Sequence, residues 1–529
     1  MYKDNLIYIG NAGEKEISIF PKMANRHGLI AGATGTGKTT TVKTVAESFS
    51  DAGVPVFIAD VKGDLSGIAI PGETEYACAH PTNFWDVYGE MGMPLRTTIS
   101  EMGPMLLARI LGLNQTQSDI LTIIFKIADD EQLLLIDTKD LRAMLTYVSE
   151  NASDYSNEYG NLAKQSITSI IRAVISLESE GGDMFFGEPA INIRDWFKTD
   201  CNGKGYIQVL DCQKLILNPT MYSTLLLWML SEIYETLPEV GDQPKPKMVF
   251  FFDEAHMLFD SASKALLDKV EQVVKLIRSK GVGIFFITQS PKDVPNGVLA
   301  QLGTKIQHAL HAYTPAEQKN VRAAADSFRV NKEFNTYDTL QELQIGEALV
   351  SVLDESGIPT IVERTKIILP ESSMKPITMD QRDNLVYNGD LYLQYAEAID
   401  RVSAYEVIKE AEEEEKEAAA LSGNSDNYPE LSQEAIDKKQ AQRDYAASHK
   451  SGSSTASGKK KTGSSNSSSG TEKKKTNKIV KSVANSAAGT IGREVGNTVG
   501  SSIGGKFGKK LGGNVGAAFA RGIIGTFCR

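Results

Sequence analysis

The chain has 529 residues, 41% hydrophobic and 23% charged, enough for two or three domains whose cores need no covalent staples. Its four cysteines, Cys78, Cys201, Cys212 and Cys528, form no C-x-x-C pair and no Cys/His cluster of zinc spacing. That excludes a disulfide scaffold and a zinc-finger framework and leaves free thiols. The net charge of −11 is uneven, because residues 451–529 hold 14 basic against 2 acidic residues. An acidic body with a basic tail suggests that the tail meets something anionic or neutralises its own chain.

Taken in order, residues 1–25 read as short strands around a turn at Asn11-Ala12-Gly13. The opening Met1–Asn5 stretch lacks the apolar core of a secretory signal, and no run of 18 apolar residues occurs. No spanning helix and a cytoplasmic location are therefore expected. A strand over 27–31, a glycine loop, a helix over 39–49 closed by Gly53 and a buried strand over 54–60 compose a βαβ unit. That order predicts a parallel sheet, and so an α/β fold.

From about 100 to 200 helical periodicities take over, at 104–113, 118–127, 140–148 and 162–177. They read as a helical subdomain inserted into the α/β core. Strand patterns return at 206–210, 248–253 and 283–288, with a helix over 222–237 and another ending before Gly281. The alternation continues to about 369. The expected boundaries are an N-terminal β element (1–25), a core in two parts (26–99 and 201–370), the helical insertion (100–200) and a charged helical extension (371–450). A Ser/Gly/Lys linker (451–478), expected to be disordered, leads to a basic tail (479–529).

The tail carries a repeat. Gly492, Gly496, Gly500, Gly504, Gly508, Gly512 and Gly516 recur every fourth position, each after an Ile, Val, Phe or Leu. Seven interior glycines cost a helix roughly 7 kcal/mol against alanine, which only close backbone packing offsets. Arg493, Lys506, Lys509 and Lys510 interrupt the apolar face, so an element lying on an anionic membrane or a protein partner is expected rather than a span. A tail disordered when free is the plain alternative.

The chemistry centres on Gly32-Ala33-Thr34-Gly35-Thr36-Gly37-Lys38-Thr39, which fits G-x-x-x-x-G-K-[ST] and is followed by Thr40. Glycines let backbone N–H groups converge on phosphate oxygens, and the following helix adds the positive end of its dipole. Lys38 is expected to reach the β- and γ-phosphates of ATP, and Thr39 to offer its hydroxyl to Mg2+. The partner is 248–256 (MVFFFDEAH), an apolar strand running into Asp253 and Glu254 at the sheet edge where α/β proteins bind ligands. Asp253 is expected to hold Mg2+ through water, and Glu254 to orient and deprotonate the attacking water. Gln289, ending the 283–288 strand, is placed beside the γ-phosphate, with a satisfied strand-end amide as the alternative. Asp60 ends the second strand, either near the waters of Mg2+ or as a loop cap.

These residues give the chain its resemblance to the HerA/FtsK branch of P-loop ATPases, and more closely to the bacterial YjgR-like family of HerA-like proteins. The segments that carry it are 25–39 (NRHGLIAGATGTGKT), 62–67 (KGDLSG), 250–256 (FFFDEAH), 276–283 (LIRSKGVG) and 346–351 (GEALVS), within about 5–370. The resemblance implies a RecA-like core and a homo-oligomeric ring, commonly a hexamer, with ATP at subunit interfaces. It also implies arginine fingers, for which Arg278 and Arg26 match in position and Arg364 is a weaker match. His311 stands where arginine is commoner among relatives. For the work done with ATP, the resemblance favours translocation or helicase action on DNA. The acidic body and the lack of a helix-turn-helix, zinc or RRM signature count against it. A protein or membrane remodeller tethered by the tail and a regulatory ATP switch are the alternatives.

Overall fold

The computed structural model describes residues 2–241, 243–259 and 264–422. Expectations for 423–529, the linker and the glycine-repeat tail among them, lie outside the described residues. The chain forms two compact units, one of residues up to Arg401 without 131–133, the other of 131–133 with 402 onward. The described part of the second is mainly a charged helix, Ala404–Ser422.

The first unit is built on one sheet. Its strands are β1 (Tyr2–Lys3), β2 (Leu6–Ala12), β3 (Lys15–Ile19), β4 (Gly28–Ala31), β5 (Val56–Asp60), β6 (Thr82–Asp86) and β7 (Met93–Pro94). They continue with β8 (Ile207–Asp211), β9 (Met248–Phe252), β10 (Val282–Thr288), β11 (Thr304–Gln307), β12 (Glu347–Ser351) and β13 (Glu363–Ile367). A parallel core runs β11-β4-β10-β9-β5-β8-β6-β7. Antiparallel β12, β13 and β2 extend it beyond β11, and β1 and β3 both pair with β2. This is a mixed α/β fold with a RecA-like, mainly parallel centre.

Every residue of β4, β5, β8, β9 and β10 is buried, as expected of parallel strands covered on both faces. The strand period of two sorts their side chains. Phe251 stacks on Phe285 at 5.1 Å, within the core that holds Val42, Val45, Ala46 and Phe49 of helix α1 (Lys38–Asp51). Phe250 meets Phe57 on the other face, where Trp196 stacks on Phe57 at 5.1 Å.

The segment between β7 and β8 is helical: α2 (Ile99–Ile110), α3 (Gln115–Asp130), α4 (Thr138–Glu150), α5 (Ala152–Tyr159), α6 (Lys164–Leu177) and the single turn α7 (Asp183–Phe185). The four apolar periodicities fall on α2, α3, α4 and α6. After β8 come α8 (Pro219–Thr236), which packs on α2, then α9 (His256–Phe259) and α10 (Lys264–Ile277). No helix among the described residues is long and apolar enough to cross a membrane.

Because the core strands are parallel, the loops after β4, β5, β9 and β10 all open at one sheet edge. The register aligns their ends, with Thr288 beside Ala31, and Phe252 beside both Phe286 and Ala59.

Candidate nucleotide-binding site

The glycine loop 32–37 joins β4 to α1. Its path is held from outside. The N–H of Gly32 donates to Thr288 O (3.3 Å), that of Ala33 to Ala309 O (2.9 Å), and that of Gly346 to Thr36 O (3.2 Å). Thr36 Oγ1 donates to Ala33 O at 2.7 Å. Gly32 has φ +154, and a Cβ there would lie 2.5 Å from Cβ of His308. Gly37, at φ +108, makes the left-handed step into α1, which starts at Lys38. The free N–H groups of that first turn and the helix dipole make an anion cradle. Thr34 and Gly35 are exposed at the tip, while Thr39 and Thr40 are half-buried on the first turn of α1.

Lys38 Nζ donates to the loop's own carbonyls, Gly32 O at 2.6 Å and Ala33 O at 3.0 Å. Burial depresses its pKa and Lys62 adds to that, against Glu254 and Asp253, which raise it. Beneath the loop, the buried ring of His308 bonds Thr41 Oγ1 through Nε2 (2.8 Å) and Glu347 O through Nδ1 (2.9 Å). Burial pushes its pKa down to about 4. A neutral ring in which Nδ1 donates and Nε2 accepts satisfies both bonds.

Asp253 follows β9. Its backbone carbonyl accepts from the buried Tyr222 hydroxyl at 2.7 Å, and its Oδ1 from the N–H of Glu254 at 2.9 Å. Burial pushes the Asp253 pKa up to about 6, with Lys62 opposing and Glu254 adding. Glu254 sits at φ +46, rare for a side-chain-bearing residue and a recurrent mark of functional positions. Its Oε1 pairs with Lys62 Nζ at 3.1 Å. Its buried Oε2 makes no hydrogen bond and lies 3.4 Å from His256 Nδ1.

Lys38, Thr39, Lys62 and Asp253 line one cleft, with Val42, Ile58 and Ile287 as its apolar wall. The Thr39 hydroxyl donates to Asp64 Oδ2 at 3.0 Å. Asp60 caps the loop after β5: its carboxylate accepts from the N–H groups of Gly63 (2.8 Å) and Leu65 (3.1 Å). Burial and the charge of Asp64 push its pKa up to about 7.

Gln289 is exposed just beyond β10, which lies between β4 and β9. Arg26 ends the turn before β4 and packs its guanidinium against Gly357, while Arg278 precedes β10. Both therefore stand at the sheet end opposite the glycine loop. The seven residues of β10 span about 23 Å, which keeps Arg278 out of the cleft of its own chain, and the Arg26 guanidinium lies beside Gly357, before the four residues of β4. Arg364, on β13, pairs with Glu347 at 2.7 Å. Lys62, Asp64 and His308 belong to this site as well, and the sequence alone does not point to a role for them. The signal for the first two was a charged loop directly after a strand that ends at the ligand edge. Nothing local marked His308.

An anion cradle between strand and helix, with two acids on a strand two places away in a parallel sheet, defines a P-loop ATPase. The chain belongs to the helicase HerA-like C-terminal family, whose model matches residues 6–511. It is 22% identical over 370 residues to the DNA double-strand break repair helicase HerA of Sulfolobus acidocaldarius, covering 68% of each chain. It is 28% identical over 141 residues to the probable helicase MJECL08 of Methanocaldococcus jannaschii, a match to 26% of this chain and a quarter (25%) of that protein's length. Among solved structures, VirB4 of Thermoanaerobacter pseudethanolicus is similar at a TM-score of 0.49 and 15% identity, over 69% of this chain and 97% of that one.

Proposed function

We propose that this ATPase hydrolyses ATP with Mg2+ and uses the energy to move a homo-oligomeric ring, a hexamer by resemblance, along DNA. The observation that carries the hydrolytic part is that Lys38, Thr39 and Asp253 line one cleft with Glu254 at its edge. Mg2+ fits the donors there, since the Thr39 hydroxyl and Asp253 carboxylate are the hard oxygen ligands it prefers. When bound, it neutralises charge shared by the β- and γ-phosphates.

The protein's own groups do the rest. The loop N–H groups of 32–37 and Lys38 Nζ hold the phosphates, and Lys38 leaves its loop carbonyls to do so. Glu254 orients a water in line with the bond from the γ-phosphorus to its bridging oxygen and takes the proton as water attacks. Gln289 helps place that water or senses the γ-phosphate. Arg278 or Arg26 of a neighbouring subunit brings a guanidinium to the charge that develops. Their position at the far sheet end suits a head-to-tail ring, where one subunit's lower edge faces the next subunit's cleft. DNA as the track draws on the name of the Sulfolobus relative, and a cytoplasmic setting goes with it.

The test is ATP turnover by wild type, Lys38→Ala and Glu254→Gln, with and without duplex DNA at two salt concentrations. Both variants should lose about 100-fold or more, EDTA should stop the wild type, and DNA should stimulate it several-fold, an effect that shrinks as salt rises. Undiminished turnover by Lys38→Ala would overturn the site, and turnover indifferent to DNA would overturn the motor.

A further inference from the structure

The loop after β5 places a cation and an anion among the reacting groups. Asp60 holds the backbone of this loop through Gly63 and Leu65, so Lys62 and Asp64 project from a fixed base. Asp64 takes the Thr39 hydroxyl, and Lys62 takes Glu254. Two ammonium groups line the cleft. Lys38 is turned onto its own loop carbonyls, whereas Lys62 faces the acids. The Lys62 side chain is 44% exposed, so its four-carbon stem is free to swing while its Cα stays in place.

The pair has a consequence for hydrolysis. Glu254 Oε1 is engaged by an ammonium donor at 3.1 Å, while Oε2 is buried without a hydrogen bond. In this arrangement the oxygen that is not buried, Oε1, is the one paired with Lys62, so a water approaching Glu254 competes with the ammonium group. A γ-phosphate entering the cleft brings about two negative charges against the single charge of Glu254, and it does so beside Lys62.

We propose that Lys62 is a γ-phosphate-binding residue that exchanges Glu254 for the γ-phosphate when ATP enters, freeing the carboxylate to take a water. ADP lacks that group and leaves the Lys62–Glu254 pair in place. The exchange couples the presence of a hydrolysable phosphate to the readiness of the base. It rests on the ATPase reading above and adds a named sensor to it.

The experiment measures Kd for ATPγS and for ADP, both with Mg2+, in wild type, Lys62→Met and Lys62→Arg, together with kcat and KM for ATP. Methionine keeps the length of the stem and removes the charge. Lys62→Met should bind ADP within about twofold of wild type, bind ATPγS about tenfold more weakly and lose about 100-fold in kcat. Lys62→Arg should restore ATPγS affinity. The ATPγS loss should persist when Lys62→Met is placed on Glu254→Gln, because the lost contact is with phosphate and not with the carboxylate. Equal weakening of ADP and ATPγS, no weakening of either, or an ATPγS effect that vanishes on the Glu254→Gln background would each overturn the proposal. Nucleotide binding is read without turnover, so a wild type that fails to hydrolyse ATP would sink the ATPase reading separately.

Discussion

His308 and Gly32 meet at the base of the phosphate loop, and each limits the other. A side chain at 32 would collide with Cβ of His308, and His308 spends both ring nitrogens on Thr41 and Glu347. The ring is neutral in the fold because burial holds its pKa near 4 against about 6.5 in the unfolded chain. A histidine with a depressed folded pKa contributes stability that is intact above pH 6.5 and lost as pH falls from 6.5 toward 4, where only the unfolded chain takes the proton. One proton is worth about 1.4 kcal/mol per pH unit in that window. His27 adds a parallel term, since its buried ring also has a pKa of about 4 and bonds Val274 O and the N–H of Ile284. We therefore expect His308→Gln to reduce the pH slope of unfolding free energy between pH 6 and 4.5 by nearly one proton. Denaturant titrations at several pH values measure it, and an unchanged slope would show that His308 is protonated in the fold.

At the scale of elements, the core strands are set by burial on both faces, and helices α2, α4 and α8 open on side-chain caps. Helix α4 opens with a reciprocal box: Asp137 accepts from the N–H groups of Lys139 and Asp140, and Asp140 from those of Ile136 and Asp137. Asp137→Ala should cost about 1 kcal/mol of stability. It should leave kcat for ATP within twofold, because α4 belongs to the segment between β7 and β8 and contributes no side chain to the cleft. Denaturation and a turnover assay separate the two effects. The loop after β5 is the contrasting case, in which a cap on Asp60 aims charged groups at the reacting atoms. The pattern of the α4 segment was legible because its apolar spacing is local. Strand β6 was not. Its sequence, Thr82 to Asp86, has only Phe84 and Trp85 between polar residues, without the apolar run of β5, β9 or β10, and its place is decided by pairing with β8, more than a hundred residues away.

For the whole molecule, the decisive point is where the two arginines stand. Arg26 and Arg278 precede strands whose far ends hold the phosphate loop, so a role at a γ-phosphate requires a second copy. Lys38→Ala lacks a working cradle but keeps its arginines, and Arg278→Ala is the reverse. Each alone should be nearly inactive. Mixed in equal amounts and allowed to exchange subunits, they should recover about one quarter of wild-type turnover, the fraction of interfaces that pair an intact cradle with an intact arginine in a closed head-to-tail ring. No recovery after demonstrated exchange would remove Arg278 from the site.

The sequence by itself determined the phosphate loop, the Asp253-Glu254 strand end, the parallel character of the core and the helical texture between β7 and β8. Each depends on neighbouring residues: a glycine spacing, an apolar run, a helical period. The tertiary structure alone decided that β10 separates β4 from β9, that His308 underlies Gly32, that Lys62 holds Glu254 and Asp64 holds Thr39, and that Arg26 and Arg278 stand at the sheet end opposite their own cleft. Those are contacts between segments tens to hundreds of residues apart, fixed by strand order and register. A side chain's local sequence reports the element it sits on but not the charge that packing sets opposite it.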